Sequence, residues 1–265
     1  MTKTREVEQA ERARHAHLIG LLTFTSGCVD VVTLMIIGGA FTSVITGNLI
    51  FVGRAIGTTS LTPAVHAILA VIGYILGVAA GSRLRVLFGR PAAGRSAQGN
   101  SARGDSAQSR PWPRSATLVL AVECALLAAL NAAWIGWGAA PPAAATDVLL
   151  TAAALALGMQ SAAARGIAGN PSTTYMTGAL TTLVEALSTG RRKSADASAV
   201  IGLLALVAGA ACGAVLIREA SRTALLPPLA ALLLVVAVKL WQHRREGRAQ
   251  AGPRQGLPRL PAPVG

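Results

Sequence analysis

Charge is what this sequence has least of. Only 13% of its 265 residues are Asp, Glu, Lys or Arg. A soluble domain usually carries about twice that share, so an ordinary globular reading is excluded. Aromatic residues make up 4%, and no aromatic-rich basic fold accompanies the net charge of +13. That charge therefore does not point to nucleic acid; excess Lys and Arg is what the cytoplasmic loops of a membrane protein carry. The three cysteines, Cys28, Cys124 and Cys212, lie inside apolar runs with no ligand-like spacing, so packing is their expected role. The sequence also lacks H-E-x-x-H, a G-x-S-x-G nucleophile turn and a phosphate-binding G-x-x-x-x-G-K-[ST]. No enzyme, metal or cofactor is expected.

What is present is apolar length. Hydrophobic residues make up 52% of the chain, and the mean hydropathy is +0.53. Runs at 18–37, 63–88, 116–137, 148–164, 199–217 and 225–241 approach the roughly 20 residues that span hydrocarbon as a helix. Two shorter runs, 41–56 and 173–188, do not. The expected fold is an all-α polytopic membrane helix bundle. It has about six full transmembrane helices plus two short re-entrant or broken helices, in two internal, inverted repeats. Residues 1–17 carry both signs of charge and lack a signal peptide's apolar core, so they read as a cytoplasmic N-terminal segment. A first repeat core follows at 18–88. Residues 89–114 form a basic loop rich in Arg, Gly, Ser and Pro, too polar to fold. A connecting helix at 115–138, a second core at 147–217, a last helix at 224–241 and a basic tail at 242–265 complete the chain.

The repeat rests on three matches. Gly27-Cys28-Val29-Asp30 aligns with Gly158-Met159-Gln160-Ser161, and Thr46-Gly47-Asn48 with Thr177-Gly178-Ala179, both at 158 − 27 = 131. One residue more, 132, aligns Gly77 and Gly81 with Gly209 and Gly213. Charge then suggests orientation. The stretch from Arg83 to Arg114 holds seven arginines and one aspartate, whereas residues 139–146 hold no basic residue. Cytoplasmic placement of the former, with both termini, requires that the short segments enter and return. Each half then crosses three times, so the second is inverted on the first. Interrupted helices at the midplane of such repeats are where transporters and channels place their sites.

The polar residues inside these segments are the candidates. Thr42, Thr46, Gly47 and Asn48 crowd the first short segment; Thr173, Thr174, Thr177 and Gly178 crowd the second, where Asn170, Pro171 and Ser172 suit a helix N-terminus. Such a terminus offers N–H groups to an anionic or dipolar solute. The competing reading is that Thr and Gly let helices approach and hydrogen-bond. Asp30 is costly at its depth, so it should face the interior, pair, or handle protons. Gln160 stands beside Asp30's counterpart, Ser161. Secondary candidates are Arg54 and Glu185, at corresponding places, then His66 with Tyr74, and Glu123 with Asn131. Each of these last pairs is eight residues apart and so shares a helix face. The Gly73, Gly77, Gly81 stripe reads as packing.

At these residues the sequence resembles a known family. Gly27-x-x-Asp30, Phe41, Thr46-Gly47-Asn48, Gly158-Met159-Gln160 and Thr173-Thr174-Tyr175-Met176-Thr177-Gly178 are similar to the YoaK-like family of bacterial multi-pass membrane proteins, a domain of unknown function. The resemblance spans about residues 18–241. Where the family pattern has Asn after Gly-x-Gln, this chain has Ser161. The resemblance implies a membrane domain of this length and no particular activity. Together the observations point to a bacterial inner-membrane protein with a lipid bilayer as its surroundings. A small solute, ion or proton is its expected cargo, with homo-oligomerisation open and no nucleic-acid partner. Transporter or channel is the leading expectation; a non-transporting scaffold, sensor or assembly partner is its rival.

Overall fold

The computed structural model of the chain describes residues 2–58, 61–89, 112–138, 140–167, 176–189 and 197–250. Their regular structure is helical throughout: α1 (Thr2–Val32), α2 (Ile45–Thr58), α3 (Leu61–Phe88), α4 (Arg114–Gly136), α5 (Ala143–Gly166), α6 (Met176–Ser188), α7 (Ala197–Ala220) and α8 (Leu226–Gln250). Six stretches are long and apolar enough to cross a membrane: Arg14–Ile37, Leu61–Phe88, Arg114–Gly136, Ala143–Gly166, Ala199–Thr223 and Leu226–Arg248. At 14 and 13 residues, α2 and α6 are not. A helix of 14 residues reaches ~21 Å, short of the ~30 Å hydrocarbon core. The charged lead-in from Thr2 continues into the first span without a break.

Small residues set the packing. The two most extensive contacts are α1 against α7 and α3 against α5. In lipid, apolar surface gives helices little reason to associate, so close backbone approach and van der Waals contact do the work. At both crossings glycines meet backbone directly. A Cβ on Gly77 would run into the Leu155 carbonyl, and one on Gly158 into the Tyr74 carbonyl. Across the other crossing, Gly209 abuts the Phe24 carbonyl and Gly27 the Leu206 carbonyl. The expected glycine stripe thus faces α5. Around these crossings α4 lies against α5 and α8, α8 against α1, α2 against α3, and α6 against α7. Outward faces, such as Ile68, Ile72 and Ile75 on α3 and Leu204, Val207 and Val215 on α7, stay exposed and apolar, as a lipid-facing surface requires.

The first break differs in detail from the expected segment 41–56. α1 ends in a π-turn, Thr33–Ile37, where the Thr33 carbonyl accepts the N–H groups of both Gly38 and Gly39 at 2.9 and 3.1 Å. Gly39 has φ +65°, a left-handed conformation glycine adopts without penalty. The chain then turns back along α1, and α2 begins only at Ile45. Phe41, Thr42 and Ser43 stay out of the helix because side chains have claimed their backbone groups.

Candidate functional site

One carboxylate holds the fold-back. Asp30 Oδ1 accepts the Thr42 N–H at 2.7 Å, the Thr42 hydroxyl at 2.8 Å and the Ser43 N–H at 2.8 Å; Oδ2 accepts the Ser43 hydroxyl at 2.5 Å. Asp30 lies two helical turns, ~10 Å, before the end of the π-turn. Non-helical backbone is thereby carried well inside the span, where it survives because its polar groups are satisfied by protein. Asp30, Thr42 and Ser43 are all buried.

The Thr-Gly-Asn element does the same from the α2 side. Asn48 Oδ1 accepts the Phe41 N–H at 2.9 Å while its Nδ2 donates to the Phe41 carbonyl at 2.7 Å, so one amide side chain satisfies a whole residue of backbone. A Cβ on Gly47 would press on the Phe41 ring, which stacks on Phe51 with centroids 5.9 Å apart. Thr46, by contrast, is exposed. The motif therefore divides: Gly47 and Asn48 shape the loop, and Thr46 faces outward.

The remaining candidates form separate contacts. Gln160 Nε2 donates to the Leu22 carbonyl at 2.9 Å and the Ser26 hydroxyl at 2.8 Å, tying α5 to α1; its Oε1 is buried without a hydrogen-bond partner. The Tyr74 hydroxyl donates to Ser161 at 2.9 Å. His66 Nδ1 lies 2.6 Å from the Gly38 carbonyl and Nε2 3.1 Å from Asp147. His66 and Tyr74 do share a face, the one against α5. Glu123 and Asn131 are both buried on α4, and neither the Glu123 carboxyl oxygens nor Asn131 Oδ1 has a partner. Arg54 and Glu185 are exposed, with no ion pair among the described residues. On the first turn of α6, Thr177 and Gly178 are exposed. Thr173, Thr174, the N-terminal Asn170, Pro171 and Ser172, and the basic 191–193 lie outside the described residues.

The best-formed pockets among the described residues are small. One is apolar, between α1, α4 and α5, lined by Val29, Thr33, Leu127 and Leu149 among others; the other touches Phe51, Arg54 and Pro63 between α2 and α3.

Residues 18–238 match the family model described as a protein of unknown function, DUF1275. The chain belongs to that family. It is similar to the UPF0700 transmembrane protein YoaK of Bacillus subtilis (strain 168), with 29% identity over 173 residues, 64% of this chain. The match spans 66% of that relative's length, just under two thirds. No solved structure matches. This DUF1275 chain is thus a multi-pass membrane protein, as its residues suggested.

Three residues at the contacts of this DUF1275 chain were not among the candidates. Ser43 matches Thr42 in its bonds to Asp30, Ser26 receives Gln160, and Asp147 receives His66. Asp147 sits at the boundary between the apolar run from Val148 and the loop before it, which made it resemble a solvated loop residue. Its position one turn into α5 is what brings it to His66.

Proposed function

We propose that this chain is a small-solute transporter or channel of a bacterial inner membrane, built from two inverted repeats, with both termini cytoplasmic and no catalytic step. The observation that carries the reading is the fold-back at 38–44, which brings hydroxyls, backbone amides and a carboxylate together at depth beside the start of a half-length helix. Polar groups are costly there and recur at solute and ion pathways.

The pattern of packing supports the duplication. Shifting every helix by four exchanges the α1–α7 crossing with the α5–α3 crossing, and the exchange holds at single residues. Gly27 meets Leu206 and Ala210; its counterpart Gly158 meets Tyr74 and Val78, and 206 − 74 = 210 − 78 = 132. Basic residues support the orientation. Arg14, Arg83, Arg85, Arg114, Arg165, Arg244, Arg245 and Arg248 gather at one end of the spans, against Arg54, Arg218 and Arg222 at the other.

A second reading, a membrane scaffold or assembly partner, draws support from Asp30 itself, whose two carboxylate oxygens are taken up by the Thr42 and Ser43 groups that hold the loop. Purified protein in liposomes separates the two. Under imposed proton or anion gradients, the transport reading expects flux above that of protein-free liposomes. Thr46→Val should reduce it, because Thr46 is exposed and holds no part of the fold. Absence of flux, with Thr46→Val altering only partner capture, would decide for the scaffold.

A further inference from the structure

We infer that His66, Asp147 and the Gly38 carbonyl form one proton-binding site, which latches the start of the fold-back loop to α3 and α5. His66 Nδ1 stands 2.6 Å from the Gly38 carbonyl oxygen, and Nε2 stands 3.1 Å from Asp147 Oδ1. A carbonyl and an ionised carboxylate both accept. A neutral imidazole has one N–H and can satisfy only one of them. The arrangement therefore needs one more proton, on the ring or on the carboxyl, and that proton completes two hydrogen bonds joining three elements. Without it a ring lone pair faces either the Gly38 carbonyl or the Asp147 carboxylate, depending on the tautomer, and one tie is lost.

The place of the site gives the proton something to control. Gly38 closes the π-turn and Gly39 begins the turn back, so His66 grips the shallow end of the loop while Asp30 grips its deep end. The shallow end is not sealed by the protein: the His66 side chain is 21% exposed and that of Asp147 42%. The other charged groups nearby are few. From α2, Arg54 shares a small pocket with Pro63, one turn before His66. Asp30 lies two turns deeper and is occupied by Thr42 and Ser43. At this end α4, over residues 127–136, has no charged side chain. Nothing in the site depends on whether the protein moves a solute.

The sign follows from linkage. The closed latch holds a proton that the open one releases, so acid favours closure and rising pH favours opening. Because one proton is involved, the closed-to-open ratio falls by no more than about tenfold per pH unit. Ala40, fully buried next to Gly39, is a suitable reporter. In lipid nanodiscs, the full chain would carry Ala40→Cys as its only thiol, with Cys28, Cys124 and Cys212 replaced by Ala. Maleimide labelling would be normalised at each pH to the same protein unfolded in SDS. Labelling measured at a series of pH values should rise with pH, within the one-proton slope. Asp147→Asn should label slowly and without pH dependence, because its amide can donate to Nε2 and satisfy a neutral ring on both sides. His66→Phe should label fast at every pH. A flat profile for the parent protein, or an Asp147→Asn profile like the parent's, would overturn the proposal. Should Ala40→Cys fail to fold, hydrogen–deuterium exchange of a peptide over residues 38–44 in the unaltered chain gives the same readout. After correction for intrinsic rates, protection there must fall as pH rises; protection that stays constant rejects the latch.

Discussion

Asp30 and Ser161 stand 131 residues apart, on α1 and α5, and each lies three residues after the glycine of a close helix crossing. The backbone surroundings are alike; the chemistry is not. Asp30 gathers four donors from a loop folded back onto its own helix, whereas Ser161 receives one hydroxyl, that of Tyr74, from a neighbouring helix. The same division appears one element later. Asn48 grips Phe41, and Ala179, 131 residues further on, has no polar side-chain atom. Close glycine crossings are thus present in both regions, while the side-chain clamps on a fold-back among the described residues come from Asp30 on α1 and Asn48 on α2.

That comparison can be broken most severely at the shared feature. Gly77→Leu and Gly209→Leu should each cost at least about 3 kcal/mol, at the top of the range for overpacking, because the obstacle is a backbone carbonyl that cannot move aside. Reversible unfolding in mixed micelles measures both. Equal losses support equivalent crossings; a harmless Gly209→Leu would show that they are not. The next effect tests the difference. Asp30→Ala leaves two backbone N–H groups and two hydroxyls without an acceptor inside the span, and about 2–5 kcal/mol should be lost. Ser161→Ala removes one side-chain bond and should cost only about 0.5–1 kcal/mol. Similar values for the two in the same unfolding assay would erase the distinction.

Much of this was legible in the residues, for identifiable reasons. Long apolar runs with few charges report candidate spans directly, so the six long apolar helices follow from the sequence to within about seven residues at each end. The glycine stripe was legible because only small side chains permit such close crossings. The role of Asp30 was only half legible. Its depth marked it as unusual, but that its partners would be Thr42 and Ser43 depends on the turn at Gly39, which periodicity does not encode. Thr46-Gly47-Asn48 reads as one polar element in sequence, and yet Thr46 points away while Asn48 turns to backbone seven residues earlier. His66 could not be paired in advance, because Asp147 lies 81 residues further on and meets it only through the packing of α3 against α5 (147 − 66 = 81).

The smallest effect sharpens the comparison at Asn48. Its carboxamide replaces, for Phe41, the backbone partners that a helix or strand would supply. Asn48→Ala should cost about 1–3 kcal/mol, since it leaves the Phe41 N–H and carbonyl without their observed partners. Asn48→Asp should recover only part of this, because the carboxylate accepts from the N–H but offers the carbonyl no donor. In the second half, Ala179→Asn should change stability by less than about 0.5 kcal/mol, as a partly exposed position ordinarily does. If Ala179→Asn instead stabilised the protein, α6 would possess a backbone partner for the amide, and the two halves would be closer in chemistry than their sequences. If it does nothing while Asn48→Ala loosens residues 38–44, the amide clamp belongs to the first half alone.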